Sequence, residues 1–84
     1  MSEFTVYVLQ SEKNGKLYKG QTENLENRLN EHNRGKTKST RSGIPWKVIY
    51  METFKSREES LLREKYFKSA AGRRWIKENI VFDY

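Results

Sequence analysis

Several common features are missing from this chain of 84 residues. It has no cysteine, which excludes a disulfide framework, a thiolate nucleophile and a thiolate zinc site. It has one proline, no His-Glu-x-x-His motif and no apolar run near the roughly 20 residues that cross a bilayer. Residues 1–4 lack the basic and apolar pattern of a leader peptide. We expect an intracellular protein with a single domain over residues 1–84.

Hydrophobic residues are scarce, but aromatic residues are not. The chain is 35% hydrophobic and 33% charged, a composition that can indicate disorder. Aromatic residues make up 13% of it, and each can bury roughly 150–250 Å². We therefore predict a small folded domain. Its expected core residues are large and mostly aromatic: Trp46, Tyr50, Phe54, Leu62 and Trp75.

Acidic residues are absent from residues 34–48, where five basic residues lie. This stretch therefore holds most of the net charge of +6. Lysine and arginine interleaved with serine, threonine and glycine suit contacts to a phosphate backbone, while a solvated loop explains the pattern equally well. The candidates for phosphate contact are Thr22, Lys38, Thr40 and Arg41.

The first half of the chain predicts a hairpin followed by a helix. Residues 4–9 are rich in β-branched and aromatic side chains, which favour a strand. The pair Asn14-Gly15 favours a tight turn, after which residues 17–20 return as a second strand. A helix capped by Thr22 or Asn24 should end at Gly35.

The second half predicts a strand and two helices. Residues 46–54 form the expected third strand, and Ser56 begins a capping box that starts a helix reaching about Ala70. Gly72 is expected to break this helix before a short third one over residues 73–79. The order ββαβαα predicts an α+β fold, with a three-stranded antiparallel sheet flanked by helices.

A few polar residues stand where these elements could bring them together. Strand alternation allows Tyr7 and Tyr18 to point the same way. Helical periodicity places Arg28 and His32 beside the apolar stripe of the first helix, and Glu64 at the border of the apolar face of the second. From periodicity alone, the two tyrosines could also be strand aromatics that pack together, and the charged residues could be ordinary surface groups.

Two short motifs give these residues a context. Thr5-Val6-Tyr7, followed eleven residues later by Tyr18-Lys19-Gly20, resembles the paired motif of the GIY-YIG nucleases. Four later segments resemble the same family in the same order, so that the resemblance covers roughly residues 4–78: residues 20–22, 25–33, 45–50 and 56–69. The resemblance implies metal-dependent hydrolysis of phosphodiester bonds in nucleic acid.

The resemblance also implies roles for individual residues. Tyr7 and Tyr18 match the motif tyrosines, which position or deprotonate the attacking water. Arg28 matches an arginine that stabilises the phosphate in the transition state, and His32 matches a position that orients the water or a phosphate oxygen. Glu64 matches the metal-binding glutamate. The implied cofactor is a divalent ion, Mg²⁺ first and Mn²⁺ as an alternative.

Three departures from the motifs keep other hypotheses open. Thr5 replaces a motif glycine, Lys19 replaces a motif isoleucine, and no asparagine convincingly follows the glutamate. A DNA endonuclease, acting on branched or flapped structures in repair or recombination, is the first hypothesis, and RNA stays open as a substrate. The alternatives are a nucleic-acid-binding module with little activity and a subunit that a partner protein activates.

Overall fold

The computed structural model describes residues 3–80. Its strands are β1 (Phe4–Ser11), β2 (Leu17–Thr22) and β3 (Trp46–Phe54). They form one antiparallel sheet in the order β2-β1-β3. Gly15, at φ 78°, takes the left-handed conformation that the turn between β1 and β2 requires. The predicted hairpin and third strand are confirmed. The predicted domain range, residues 1–84, includes residues at both ends that lie outside the described part of the chain.

Three α-helices flank the sheet, as predicted. They are α1 (Leu25–Asn33), α2 (Arg57–Lys68) and α3 (Ala70–Asn79). The side chain of Asn24 caps α1 by accepting from the backbone of Asn27, and Ser56 caps α2 by accepting from Glu59. Residues expected to form an irregular basic loop instead include a 3₁₀ helix, Lys38–Gly43.

The predicted break between the last two helices is displaced. It lies at Ser69, whose extended backbone ends α2 and whose hydroxyl accepts from the backbone of Gly72 to cap α3. Gly72 is therefore inside the first turn of α3 and does not break a helix. A side chain there would overlap the carbonyl oxygen of Tyr66, so glycine permits the close contact between the two helices.

The central strand β1 has a buried cluster on each face. Val6 and Val8 pack against Phe67 on α2 and Ile76 on α3. The opposite face carries a second cluster, which α1 and the segment before β3 cover: Tyr7, Leu9, Trp46 and, partly buried, Tyr18, Leu25 and Leu29. Because β1 is buried on both sides, both faces of the sheet hold side chains in fixed positions.

The assignment of Leu62 to the core is wrong, since 69% of this residue is exposed. Arg63 takes the inward position instead. Its guanidinium lies 4.6 Å from the ring centre of Phe67 and donates to both carboxylate oxygens of Glu52, at 2.9 and 3.0 Å. The other predicted core residues are buried or partly buried. Among the described residues, no helix has the length and apolar character needed to cross a membrane.

Candidate active site

Tyr7 and Tyr18 lie side by side on one face of the sheet. Their ring centres are 6.4 Å apart, and the ring of Tyr18 is 4.9 Å from that of His32 on α1. The register of β1 and β2 places Tyr7 opposite Gly20. A β-carbon at Gly20 would collide with the hydroxyl of Tyr7, so the glycine leaves space for that hydroxyl.

His32 is the centre of a buried hydrogen-bond chain. Its Nε2 atom lies 3.3 Å from the hydroxyl of Tyr7, and its Nδ1 atom lies 2.8 Å from Oγ1 of Thr40. The Thr40 hydroxyl lies 3.2 Å from the carbonyl of Thr37, and donation to that carbonyl leaves it to accept from Nδ1–H. In this tautomer, Nε2 accepts from the hydroxyl of Tyr7. The chain runs from Tyr7 through His32 to Thr40.

The local environment keeps both ends of the Tyr7–His32 contact uncharged. Burial raises the pKa of Tyr7, and the charge of Glu64 acts in the same direction, while hydrogen bonding to Arg28 opposes it. Burial and the positive charge of Arg28 lower the pKa of His32. At neutral pH, Tyr7 is therefore a phenol and His32 a neutral imidazole, and both shifts oppose transfer of the proton between them in the resting site.

Arg28 and Tyr18 connect this buried chain to the surface. Both are partly buried, whereas Tyr7 is 1% exposed. The Arg28 guanidinium donates to Glu31 at 2.9 Å, and this bond, together with the nearby tyrosines, raises its pKa. The permanent positive charge of Arg28 is therefore partly accessible beside the buried pair of Tyr7 and His32.

Glu64 is held on α2, outside the hydrogen-bond chain. Its side chain is 21% exposed and accepts from Lys68 at 2.9 Å. Residues 3–80 contain no group of three or more carboxylate, histidine or cysteine ligands. One accessible carboxylate suits Mg²⁺, which keeps several waters and takes further oxygens from phosphate, but it does not suit a metal that needs a full protein cage.

The four residues predicted to contact phosphate differ from one another in their exposure to solvent. Lys38 and Arg41 are exposed on the 3₁₀ helix, where Arg41 donates to the carbonyl of Gly35 at 2.6 Å. Thr22 lies at the end of β2 with its hydroxyl bonded to the backbone of Asn24. Thr40 is 1% exposed, and its hydroxyl is already hydrogen-bonded to His32 and to the carbonyl of Thr37.

The sequence did not predict the contacts that hold the segment carrying Thr40. Asn33 holds both backbone groups of Trp46, at 2.7 and 3.1 Å, and the indole of Trp46 donates to the carbonyl of Thr40 at 2.8 Å. These bonds fix the 3₁₀ helix against α1. No periodicity marks such contacts, and the only sequence signal is a threonine eight residues after the histidine.

These observations define a small α+β domain with a polar site built around two tyrosines. The family model of the GIY-YIG catalytic domain matches residues 3–79, and the chain therefore belongs to the GIY-YIG family.

Three relatives agree with this family assignment. The chain is 43% identical to a UPF0213 protein of Bacillus licheniformis, over 86% of this chain and 77% of that one. It is 35% identical to a UPF0213 protein of Staphylococcus haemolyticus, over 92% and 94%. The solution NMR structure of a UPF0213 protein from Bacillus halodurans matches with a TM-score of 0.55 and 28% identity, over 90% and 83%.

Proposed function

We propose that this protein is a DNA endonuclease that hydrolyses phosphodiester bonds with the help of a divalent metal, most suitably Mg²⁺. The observation that carries the proposal is the buried contact between the Tyr7 hydroxyl and Nε2 of His32. It gives a phenol a neighbouring base, which a tyrosine needs in order to take a proton from water near neutral pH. Membership of the GIY-YIG family supports the same chemistry.

In the proposed reaction, Tyr7 passes its proton to His32 as it accepts one from the attacking water. The water oxygen bonds to phosphorus as the bond to the leaving oxygen breaks, and solvent gives a proton to that oxygen. The proton held by His32 then returns through Tyr7 to solvent, which restores the neutral imidazole. Arg28 stabilises the negative charge that grows on the phosphate oxygens. Tyr18, on the exposed side of the pair, orients the substrate.

Glu64 is the residue that would hold the metal. A bound Mg²⁺ supplies charge stabilisation for the phosphate and the leaving oxygen. Lys68 neutralises the carboxylate in the absence of metal and must yield its place when the ion binds. The charge of Glu64 is the smallest of the influences on the pKa of Tyr7, which burial dominates.

Cleavage of labelled linear, flapped and branched DNA by the purified protein tests the proposal. We expect products with Mg²⁺ and none in EDTA. Glu64→Gln should abolish cleavage while sparing DNA binding in EDTA, whereas Glu58→Gln, an exposed carboxylate on the same helix, should leave cleavage unchanged. Cleavage by the Glu64→Gln protein would refute the metal role. Salt-sensitive binding without any product would favour a binding module or a partner-dependent subunit.

A further inference from the structure

A cavity with a mainly apolar lining and three cationic side chains lies on the face of the sheet opposite Tyr7 and Tyr18. Its volume is about 320 Å³, and it is bounded by β1, β2 and α3. Its lining combines polar and apolar residues: Gln10, Lys19, Arg73 and Lys77, with Leu17 and Ile76. Because successive strand residues face opposite sides, Lys19 points away from the face that holds Tyr18 and Gly20. The cavity is therefore on the other face from Tyr7 and Tyr18, while Lys68, the partner of Glu64, is near enough to act on Lys19.

The charges around this cavity are all positive. Lys19, Arg73 and Lys77 line it without a carboxylate, and none of the three forms an ion pair within residues 3–80. Burial and the charges of Arg73 and Lys68 lower the pKa of Lys19. Cations held this close repel one another, and an anion bound among them would remove the repulsion.

Gln10 adds an unfilled hydrogen-bonding position. It is 3% exposed, and its Nε2 atom donates to the carbonyl of Gly15 at 3.4 Å. Its Oε1 atom is buried and has no partner. The reverse orientation of the amide would place two oxygens face to face, so the acceptor is the atom left open. Buried acceptors without a donor are rare in folded proteins, and a rotation of the Gln10 side chain toward the cavity would let a ligand hydroxyl or amino group satisfy this one.

We propose that the cavity binds a phosphate monoester with a hydroxyl or amino group beside it, the chemistry of a nucleotide. The three cations hold the phosphate, Gln10 accepts from the donor, and Leu17 and Ile76 contact the sugar or base. The volume is within the roughly 300–1,000 Å³ of small-ligand sites. The nucleotide is either free or the terminal one of a strand. This binding goes beyond the proposed cleavage and needs neither Glu64 nor a metal.

Calorimetric titration of the purified full chain in EDTA tests the ligand. The probes are deoxyadenosine 5′-monophosphate, deoxyadenosine, inorganic phosphate, and a short single strand with and without a 5′-phosphate. We expect the monophosphate to bind more tightly than phosphate, and deoxyadenosine not to bind. If the 5′-phosphorylated strand binds more tightly than both its unphosphorylated form and the mononucleotide, the site binds strand ends. If the mononucleotide binds more tightly than the phosphorylated strand, the site binds free nucleotides. No binding of either monoester, or equal affinity for inorganic phosphate, would overturn the proposal.

Adjacent arginines on α3 provide a matched pair of variants. Arg73 lines the cavity, while Arg74 is exposed and does not. Arg73→Ala should weaken binding of the monophosphate by about tenfold, the effect of losing one charge-assisted hydrogen bond, and Arg74→Ala by less than about twofold. If the two variants lose the same affinity for the monophosphate, the binding reflects general attraction by net charge, and the assignment of the ligand to this cavity is overturned.

A further variant addresses the buried end of the cavity, and the assay conditions separate binding from catalysis. Lys19→Met keeps the length of the side chain and should also weaken binding by about tenfold or more. Thermal unfolding confirms that each variant is folded. Binding of the monophosphate is measured in EDTA and cleavage is measured with Mg²⁺, so failure of the nuclease proposal and failure of this one are told apart.

Discussion

The Nδ1 atom of His32 lies 2.8 Å from the Oγ1 atom of Thr40, and both side chains are buried. Thr40 thereby orients the imidazole so that Nε2 accepts from Tyr7. Thr40→Val keeps the shape of the side chain but leaves Nδ1–H without an acceptor. We expect single-turnover cleavage to slow by about 10- to 100-fold, the range found when the hydrogen-bond partner of a metal-bound histidine is lost.

Thr40→Ser is the matched control, because it retains the hydroxyl. It should keep most of the cleavage rate. If Thr40 only supports folding, valine and serine variants of equal thermal stability will cleave equally well, and the positioning role is then refuted. The acid limb of the pH–rate profile should also shift for Thr40→Val, since the tautomer and basicity of His32 change together.

His32 should make stability depend on pH. Its pKa in the folded chain is below the ordinary value of 6.5, so the unfolded chain binds more protons between those two values. The free energy of unfolding therefore falls as the pH drops below 6.5, and the His32 contribution is constant above it.

His32→Asn isolates this contribution, because asparagine does not titrate. Urea denaturation of both proteins on either side of pH 6.5 measures the difference in their unfolding free energies. The advantage of the wild type should shrink in the acidic window. An unchanged difference would show that His32 titrates alike in the folded and unfolded chains.

Lys38 and Arg41 should contribute to DNA binding through phosphate contacts. Replacing both with alanine should weaken binding and lower the slope of log K against log salt by about 2, since each lost contact with a duplex contributes ~0.9. The pair Lys55→Ala and Arg74→Ala removes the same two charges from exposed positions elsewhere. Equal slopes for the two double variants would exclude the 3₁₀ helix from the interface.

The two faces of α2 should differ sharply in their contribution to stability. Phe67 is fully buried, and Phe67→Ala should lower the free energy of unfolding by about 3–5 kcal/mol. Leu62 is 69% exposed, and Leu62→Ala should change it by less than about 0.5 kcal/mol. Chemical denaturation measures both, and a large loss for Leu62→Ala would contradict the orientation of α2.

Local chemistry made most of the fold predictable. Asn14-Gly15 marks the hairpin, Ser56 the start of α2, and Gly35, at φ 77°, the end of α1. These signals act within a few residues, so a sequence displays them directly. Gly72 misled the prediction because its small size serves packing against Tyr66 rather than a helix end.

The sequence by itself determined the three strands, the first two α-helices and the order of these elements, and it allowed Tyr7 and Tyr18 to share a face, because alternation and capping are local properties of the chain. Only the tertiary structure decided that Arg63 rather than Leu62 faces inward, and that Thr40 is a buried partner of His32. The packing of Asn33 and Trp46 holds the segment that carries Thr40. Such contacts depend on which surfaces meet in space, and no local pattern records that.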